Sequence, residues 1–370
     1  MTKVATCQTI PRSAEESAQM HELASASKLA WHRDKLLAYL RGEPIFPATI
    51  ELDLTTECGR GCPICPSTTS PRSSHLHMHF VKRLFGWAEG HTQGLILSGG
   101  EPTLACTFHE TLSLARVHGF TDVVVVTNGS RLEDRTVQAA LLADASAVRV
   151  SLYDWTAQSL DGLAPTWKRI EDLRSLVERE GSSLQIGVSA LTHHDNATVL
   201  GDVAQQASHA GAHWIYFHPM CVRWDVGAPE RVDQSGVLAK IKECQKEQSD
   251  AFRVFTFPDR YFERKIEFSG YHAAHFLLVI GADGMNYLGA EVKYHPQYII
   301  ADLTNNWRDD FLWNAERLNK IKSVDSRTYP AIASRHRGIM YSQIIQKLMD
   351  KGIRSLERPA ADTYLFPHIL

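Results

Sequence analysis

Val123-Val124-Val125-Val126 is apolar at every position. A strand with one wet face alternates between apolar and polar residues. A strand covered by helices on one side and by core on the other does not. Around this run, short β-rich stretches recur at 49–54, 94–97, 122–126, 147–152, 184–188 and 213–217. Helical candidates at 78–88, 108–117, 134–142, 166–180 and 197–210 separate them. Strands that alternate with helices imply parallel neighbours, because parallel pairing needs a crossover connection. The predicted fold class is α/β, a partial (β/α)6 TIM-like barrel, in which ligands bind at the C-terminal ends of the strands.

The flanks read differently. Residues 1–46 form an N-terminal helical segment, with a helix expected over 14–41 and stopped by Gly42-Glu43-Pro44. The barrel is assigned to 47–224 and a C-terminal α+β extension to 225–370. In the extension we expect a helix at 237–248, a strand at 253–257 and a hairpin formed by 275–280 and 285–288 around Gly281-Ala282-Asp283-Gly284. Further helices are expected near 309–322 and 339–351.

Composition narrows the function classes. The chain has 370 residues, 44% apolar and 22% charged, which is ordinary globular composition. With 39 Lys plus Arg against 42 Asp plus Glu, the net charge is −3, so no nucleic-acid partner is expected. No basic start followed by an apolar run marks a secretory signal, and no stretch reaches the roughly 20 apolar residues of a membrane span. Seven cysteines, an odd count, argue against a disulfide framework and for a cytoplasmic location.

Three of those cysteines lie in Cys58-Gly59-Arg60-Gly61-Cys62-Pro63-Ile64-Cys65, directly after the first strand. Short spacing lets one loop of thiolates wrap several corners of an iron–sulfur cube. Three ligands leave a fourth iron open to a substrate or cofactor. A zinc site is the alternative; it wants a fourth Cys or His, and His75 and His77 stand close in sequence.

One βα unit later comes Leu95-Ile96-Leu97-Ser98-Gly99-Gly100-Glu101-Pro102. The cysteine spacing followed by Gly-Gly-Glu-Pro resembles the radical SAM superfamily, over about 49–220. The resemblance implies a [4Fe–4S] cluster on Cys58, Cys62 and Cys65, and S-adenosylmethionine bound to it. It further implies a reductant such as flavodoxin or ferredoxin, and hydrogen abstraction by a 5′-deoxyadenosyl radical. It places Gly99, Gly100 and Glu101 at the methionyl amino group, Ser151 at the ribose or carboxylate, Asn128 on the pocket wall and Gly187 against adenine. Ile64 stands where the family usually has an aromatic residue, and would cover adenine with an aliphatic side chain.

The C-terminal part resembles a degenerate auxiliary (SPASM-like) domain. Leu288 and Gly289 occupy the positions where cysteines would follow Tyr287, and Ser334-Arg335-His336-Arg337 resembles a Cys-Arg-His-Arg ending. No cysteine follows Cys244, so a single cluster is expected, and with it a redox-neutral outcome: decarboxylation, dehydration or epimerisation. Single-cluster members of this kind loosely resemble sugar-modifying enzymes of antibiotic biosynthesis, such as cytosylglucuronate decarboxylase or aminoglycoside diol-dehydratases. This predicts a small glycosylated or aminosugar-like substrate. Candidate residues toward it are Arg223 or Lys293 as a carboxylate clamp, Glu291 as a base and Cys221 as a hydrogen-atom donor, with His218 and Asp225 nearby. A radical peptide-modifying enzyme and a non-catalytic Fe–S or zinc module are the competing readings.

Overall fold

The computed structural model describes residues 27–62, 65, 73–153, 157–219, 234–261, 267–329, 337–359 and 364–370. Two short helices, α1 (Lys28–Trp31) and α2 (Arg33–Leu40), lead in. The alternating region follows as β1 (Thr49–Thr55), α3 (Met78–Ala88), β2 (Gly94–Gly99), α4 (Phe108–Val117), β3 (Asp122–Thr127) and α5 (Arg135–Asp144). It continues as β4 (Ala147–Leu152), α6 (Ala164–Glu180), β5 (Gln185–Thr192), α7 (Leu200–His209) and β6 (Trp214–Pro219). Each helix packs its apolar stripe on the sheet: α3 buries Val81, Leu84, Phe85 and Ala88, the spacing of one helical face.

Boundaries moved where local chemistry outweighs periodicity. The helix expected from 134 starts at Arg135, because the Asp134 side chain accepts from Thr136 N as an N-cap. The strand expected to end at 188 runs on to Thr192, since Ser189-Ala190-Leu191-Thr192 lie buried in the sheet with β6 beside them. The helix expected at 309–322 is confined to α9 (Ala315–Lys322): Asn314, with extended backbone, accepts from Glu316 N and starts it afresh.

The sheet reaches beyond the six expected strands: among the described residues it has ten, in the order β10-β9-β8-β1-β2-β3-β4-β5-β6-β7, and like a partial barrel it is not closed. Beyond α8 (Ser235–Lys246), β7 (Arg253–Thr256) adds in parallel to β6. On the other edge β8 (Leu277–Ile280) pairs parallel to β1, and β9 (Met285–Tyr287) and β10 (Ile299–Asp302) continue antiparallel. The C-terminal extension, which also contributes α9 and α10 (Arg337–Asp350), therefore shares its sheet with the barrel across the 224/225 division.

Residues 364–370 close the N-terminal ends of the strands. Thr49 Oγ1 donates to His368 O at 2.6 Å, His368 N donates to Asp122 Oδ2 at 2.7 Å, and Phe366 packs on Val124 and Ala147. Lys28 donates to Phe366 O and Ile369 O at 2.8 and 2.9 Å, and its burial pulls the ammonium pKa down to about 7. These contacts seat the C-terminal segment against the N-terminal ends of the strands.

Candidate functional site

A cavity of about 250 Å³ fills the lumen of the partial barrel. Its rim carries Cys58, Cys62 and Cys65 with Gly99, Gly100 and Asn128. The first strand thus delivers the three thiols to the place where the second and third strands end.

The Gly-Gly-Glu segment straps the cysteine loop down. Gly100 N donates to Thr55 O at 2.8 Å and Glu101 N to Glu57 O at 2.7 Å. Gly99 has φ +121°, and a Cβ there would stand 2.4 Å from Thr55 O. At Gly100 it would stand 2.1 Å from Glu57 O, so only glycines let the two backbones lie this close. Glu101 itself is wholly buried. Its carboxylate accepts from Thr103 N, Thr103 Oγ1, Thr127 Oγ1 and Asn128 N at 2.7–3.2 Å, tying the ends of β2 and β3 together. Asn128 in turn reaches Cys58 Sγ with Nδ2 at 3.5 Å.

Among the described residues no three Cys, His, Asp or Glu side chains converge tightly enough to hold one metal ion. Tetrahedral zinc requires such convergence, whereas a cube takes its thiolates at separate corners. His75, a candidate fourth zinc ligand, is engaged elsewhere: Nδ1 lies 3.0 Å from Thr55 Oγ1, and Nε2 lies 3.3 Å from Ser73 Oγ and 3.2 Å from Glu57.

Below the rim the lumen is unusually charged. Lys293 bridges Asp53 and Glu51 at 2.7 and 3.0 Å, Arg337 reaches Glu51 at 2.9 Å, and Tyr294 donates to Asp53 at 2.7 Å. Glu291 accepts from the hydroxyls of both Tyr271 and Tyr329. Burial, and then the Glu291 charge, pushes both phenols well above their ordinary pKa. On the opposite wall Ser189 Oγ and His218 Nε2 are 2.9 Å apart, and the His218 ring stacks on Tyr216.

The same fold occurs in known proteins. SuiB of Streptococcus suis superposes with a TM-score of 0.61 at 13% identity, over 88% of this chain and 79% of that one. Native anSMEcpe with bound AdoMet matches at 0.54 and 15% identity, over 82% of this chain and 98% of that one. GTP 3′,8-cyclase of Photorhabdus laumondii is 26% identical over 180 residues, 47% of this chain and 53% of that protein. The fold of this chain is the one these solved structures share, and its cysteine motif resembles that of the radical SAM superfamily. The cofactors that go with this motif are a [4Fe–4S] cluster and S-adenosylmethionine. The chain spans about half the length of the curated relative it matches, and no family model matches it.

Within this radical SAM fold the expected residues divide into three groups. Cys58, Cys62, Cys65, Gly99, Gly100, Asn128, Ser151, His218, Glu291 and Lys293 all line the one cavity. Glu101 and Gly187 are not among the residues that line it. The Glu101 carboxylate is spent on the loop ends, leaving Gly99 and Gly100 to face the cavity. A Cβ on Gly187 would fall 2.0 Å from the Trp214 ring, so that indole, not adenine, occupies the space over it. Lys293 and Glu291 are already engaged by protein partners. Ile64, Cys221, Arg223 and Asp225 lie outside the described residues, as do Ser334, Arg335 and His336.

Sequence reasoning missed Glu51, Asp53, Arg149, Tyr271 and Arg337. The signal was present for the first three. Glu51 and Asp53 alternate with Ile50, Leu52 and Leu54, and Arg149 alternates with Val148 and Val150, a period of two that sends polar groups to one face. That face is the lumen.

Proposed function

We propose that this chain is a radical SAM enzyme acting on a small, hydroxylated, sugar-like molecule held in the lumen. The observation that carries the reading is one shared cavity: three cluster thiols at its rim, and below them a chamber lined with carboxylates, cations and hydroxyls. When bound there, the cluster and S-adenosylmethionine supply one-electron reduction of the sulfonium and abstraction of hydrogen from an unactivated C–H bond. The chain's own residues do the rest. Gly99 and Gly100 present bare backbone for a close approach, and Asn128 and Ser151 offer polar contacts beside it.

A redox-neutral lyase or epimerase outcome in natural-product biosynthesis follows from the single cluster. Leu288 is buried in the hydrophobic core, and a Cβ on Gly289 would meet Tyr271 Oη at 2.5 Å. The hairpin therefore fills with packing the place where auxiliary ligands would stand. Glu291 is the candidate base; Lys293 is already paired with Asp53 and Glu51, which leaves it less charge to offer a substrate carboxylate. Peptide modification is the competing reading, because SuiB was solved bound to its precursor peptide and anSMEcpe with a peptide. The buried charged groups of the chamber favour a compact polar molecule over a peptide.

The test is anaerobic reconstitution followed by assay for 5′-deoxyadenosine. About four irons per chain and 5′-deoxyadenosine that disappears in Cys62→Ala are expected; zinc without iron, or cleavage unaffected by Cys62→Ala, would sink the reading. Deuterium transfer from labelled sugars, but not from labelled peptides, into 5′-deoxyadenosine separates the substrate classes.

A further inference from the structure

Among the described residues, three hydrogen-bond donors in the lumen lack an acceptor, one on β4 and two on β6, with β5 between them. Arg149 Nε, Trp214 Nε1 and Tyr216 Oη are buried without a hydrogen-bond partner among the described residues. Sheet register places them together. Arg149 on β4 pairs with Gly187 on β5, and Gly187 with Trp214 on β6; one rung higher, Ser151, Ser189 and Tyr216 form the next row. All three donors line the cavity. Gly187 contributes by having no side chain: a Cβ there would fall 2.0 Å from the Trp214 ring, so the indole lies over it.

The charges leave Arg149 in an unusual position. It makes no ion pair with any described residue, while Glu51, whose field it feels, is held by Lys293 and Arg337. Arg260 adds a further cation beside Tyr216, its Cζ 5.9 Å from that ring. A buried guanidinium without a counter-ion is costly, as is a buried N–H or O–H without an acceptor. Three such groups on one wall of one cavity define what is missing: a compact anion with several acceptor oxygens. Arg149 and Trp214 lie about 7 Å along the strands below the row that Ser151 shares with Tyr216, so the three donors reach from the depth of the lumen up to Ser151's level.

We propose that Arg149, Trp214 and Tyr216 form an oxyanion subsite for a carboxylate or phosphate carried by the substrate. It deepens the reading above, on which it rests, by making the sugar-like substrate an acid. The guanidinium supplies charge and a planar fork; the indole N–H and phenol O–H supply neutral donors that fix the group's orientation.

The test is calorimetric titration of the reconstituted full chain with D-glucuronate, D-glucose 6-phosphate and neutral D-glucose. At least one anion should bind more tightly than glucose. Arg149→Met should weaken that binding about tenfold or more, with partial recovery in Arg149→Lys, and Trp214→Phe and Tyr216→Phe should each weaken it severalfold. Preference for glucuronate assigns a carboxylate, and preference for the phosphate ester a phosphate. Arg149→Met should also raise the melting temperature of the ligand-free protein, because it removes a lone buried charge. The proposal is overturned if neither anion outbinds glucose, if Arg149→Met binds the anion like wild type, if it weakens S-adenosylmethionine instead, or if it lowers the melting temperature. Binding is read without S-adenosylmethionine cleavage, so failure of the subsite and failure of the radical chemistry are seen separately.

Discussion

Lys293 and Asp53 form a buried ion pair, Nζ to Oδ1 at 2.7 Å, with Lys293 4% and Asp53 0% exposed. Lys293 belongs to the C-terminal extension and Asp53 to the first barrel strand, so the pair fastens one to the other from inside the lumen. Tyr294, the next residue, adds its hydroxyl to the same carboxylate at 2.7 Å. Ser98 adds another from the second strand at 2.6 Å.

Removing one partner of this pair should be worse than removing both. Lys293→Met leaves two carboxylates short of a cation, and we expect a loss of about 3–5 kcal/mol in urea unfolding. The double variant Asp53→Asn/Lys293→Met should recover at least about 1 kcal/mol of it. Additive losses in the two single variants would show that the groups do not interact.

Glu101→Gln tests the strap between the strand ends. The carboxylate accepts four hydrogen bonds; an amide offers one oxygen and turns two N–H donors toward other donors. A loss of about 2 kcal/mol in stability is expected. Because the same carboxylate seats Asn128 against Cys58, iron retention after desalting should fall as well. Full iron loading with unchanged stability would contradict the positioning role.

Gly187→Ala puts a methyl group into the Trp214 indole. Overpacking of this kind costs about 1–3 kcal/mol. Combining it with Trp214→Leu, which vacates the space, should return part of that cost in a double-mutant cycle of melting temperatures. A neutral Gly187→Ala would mean that the indole moves aside freely.

Acid should unfold the protein through its buried histidines. Burial pulls the pKa of His32 down to about 3, where the unfolded chain has the ordinary value near 6.5. His275 is lowered likewise to about 3. The unfolded state therefore binds more protons between these values, so stability is full above pH 6.5 and is lost as pH falls toward 3. For His32 the slope is at most about 1.4 kcal/mol per pH unit. Urea midpoints at pH 7 and 4.5 measure it. His32→Gln, which can still donate to Pro367 O, should show a shallower fall.

The barrel strands were legible because each is a short apolar run bounded by a helix of clear periodicity. All six lie within a few residues of their expected places, and the cysteine loop and the glycine segment fall at the strand ends as anticipated. The outer strands were less so. Leu277–Ile280 reads as half of a local hairpin, and nothing local says that its other edge pairs with a strand more than two hundred residues earlier. Charged residues misled most. Lys293 and Arg337 look like surface cations in sequence, because a lone charge carries no mark of the partner that will neutralise it.

By itself the sequence determined the repeating strand–helix order, the loop that gathers three thiols, and the glycines that let β2 press against it. These rest on local rules: the side-chain period, the spacing of ligands on one loop, and the room a missing Cβ leaves. Only the tertiary structure decided which charges face one another. It tied Glu101 to the strand ends, gave Lys293 to Asp53 and Glu51, and left Arg149 without an ion pair among the described residues. Electrostatic partnership depends on distance through space and on burial, and both are set when strands far apart in sequence close around a common lumen.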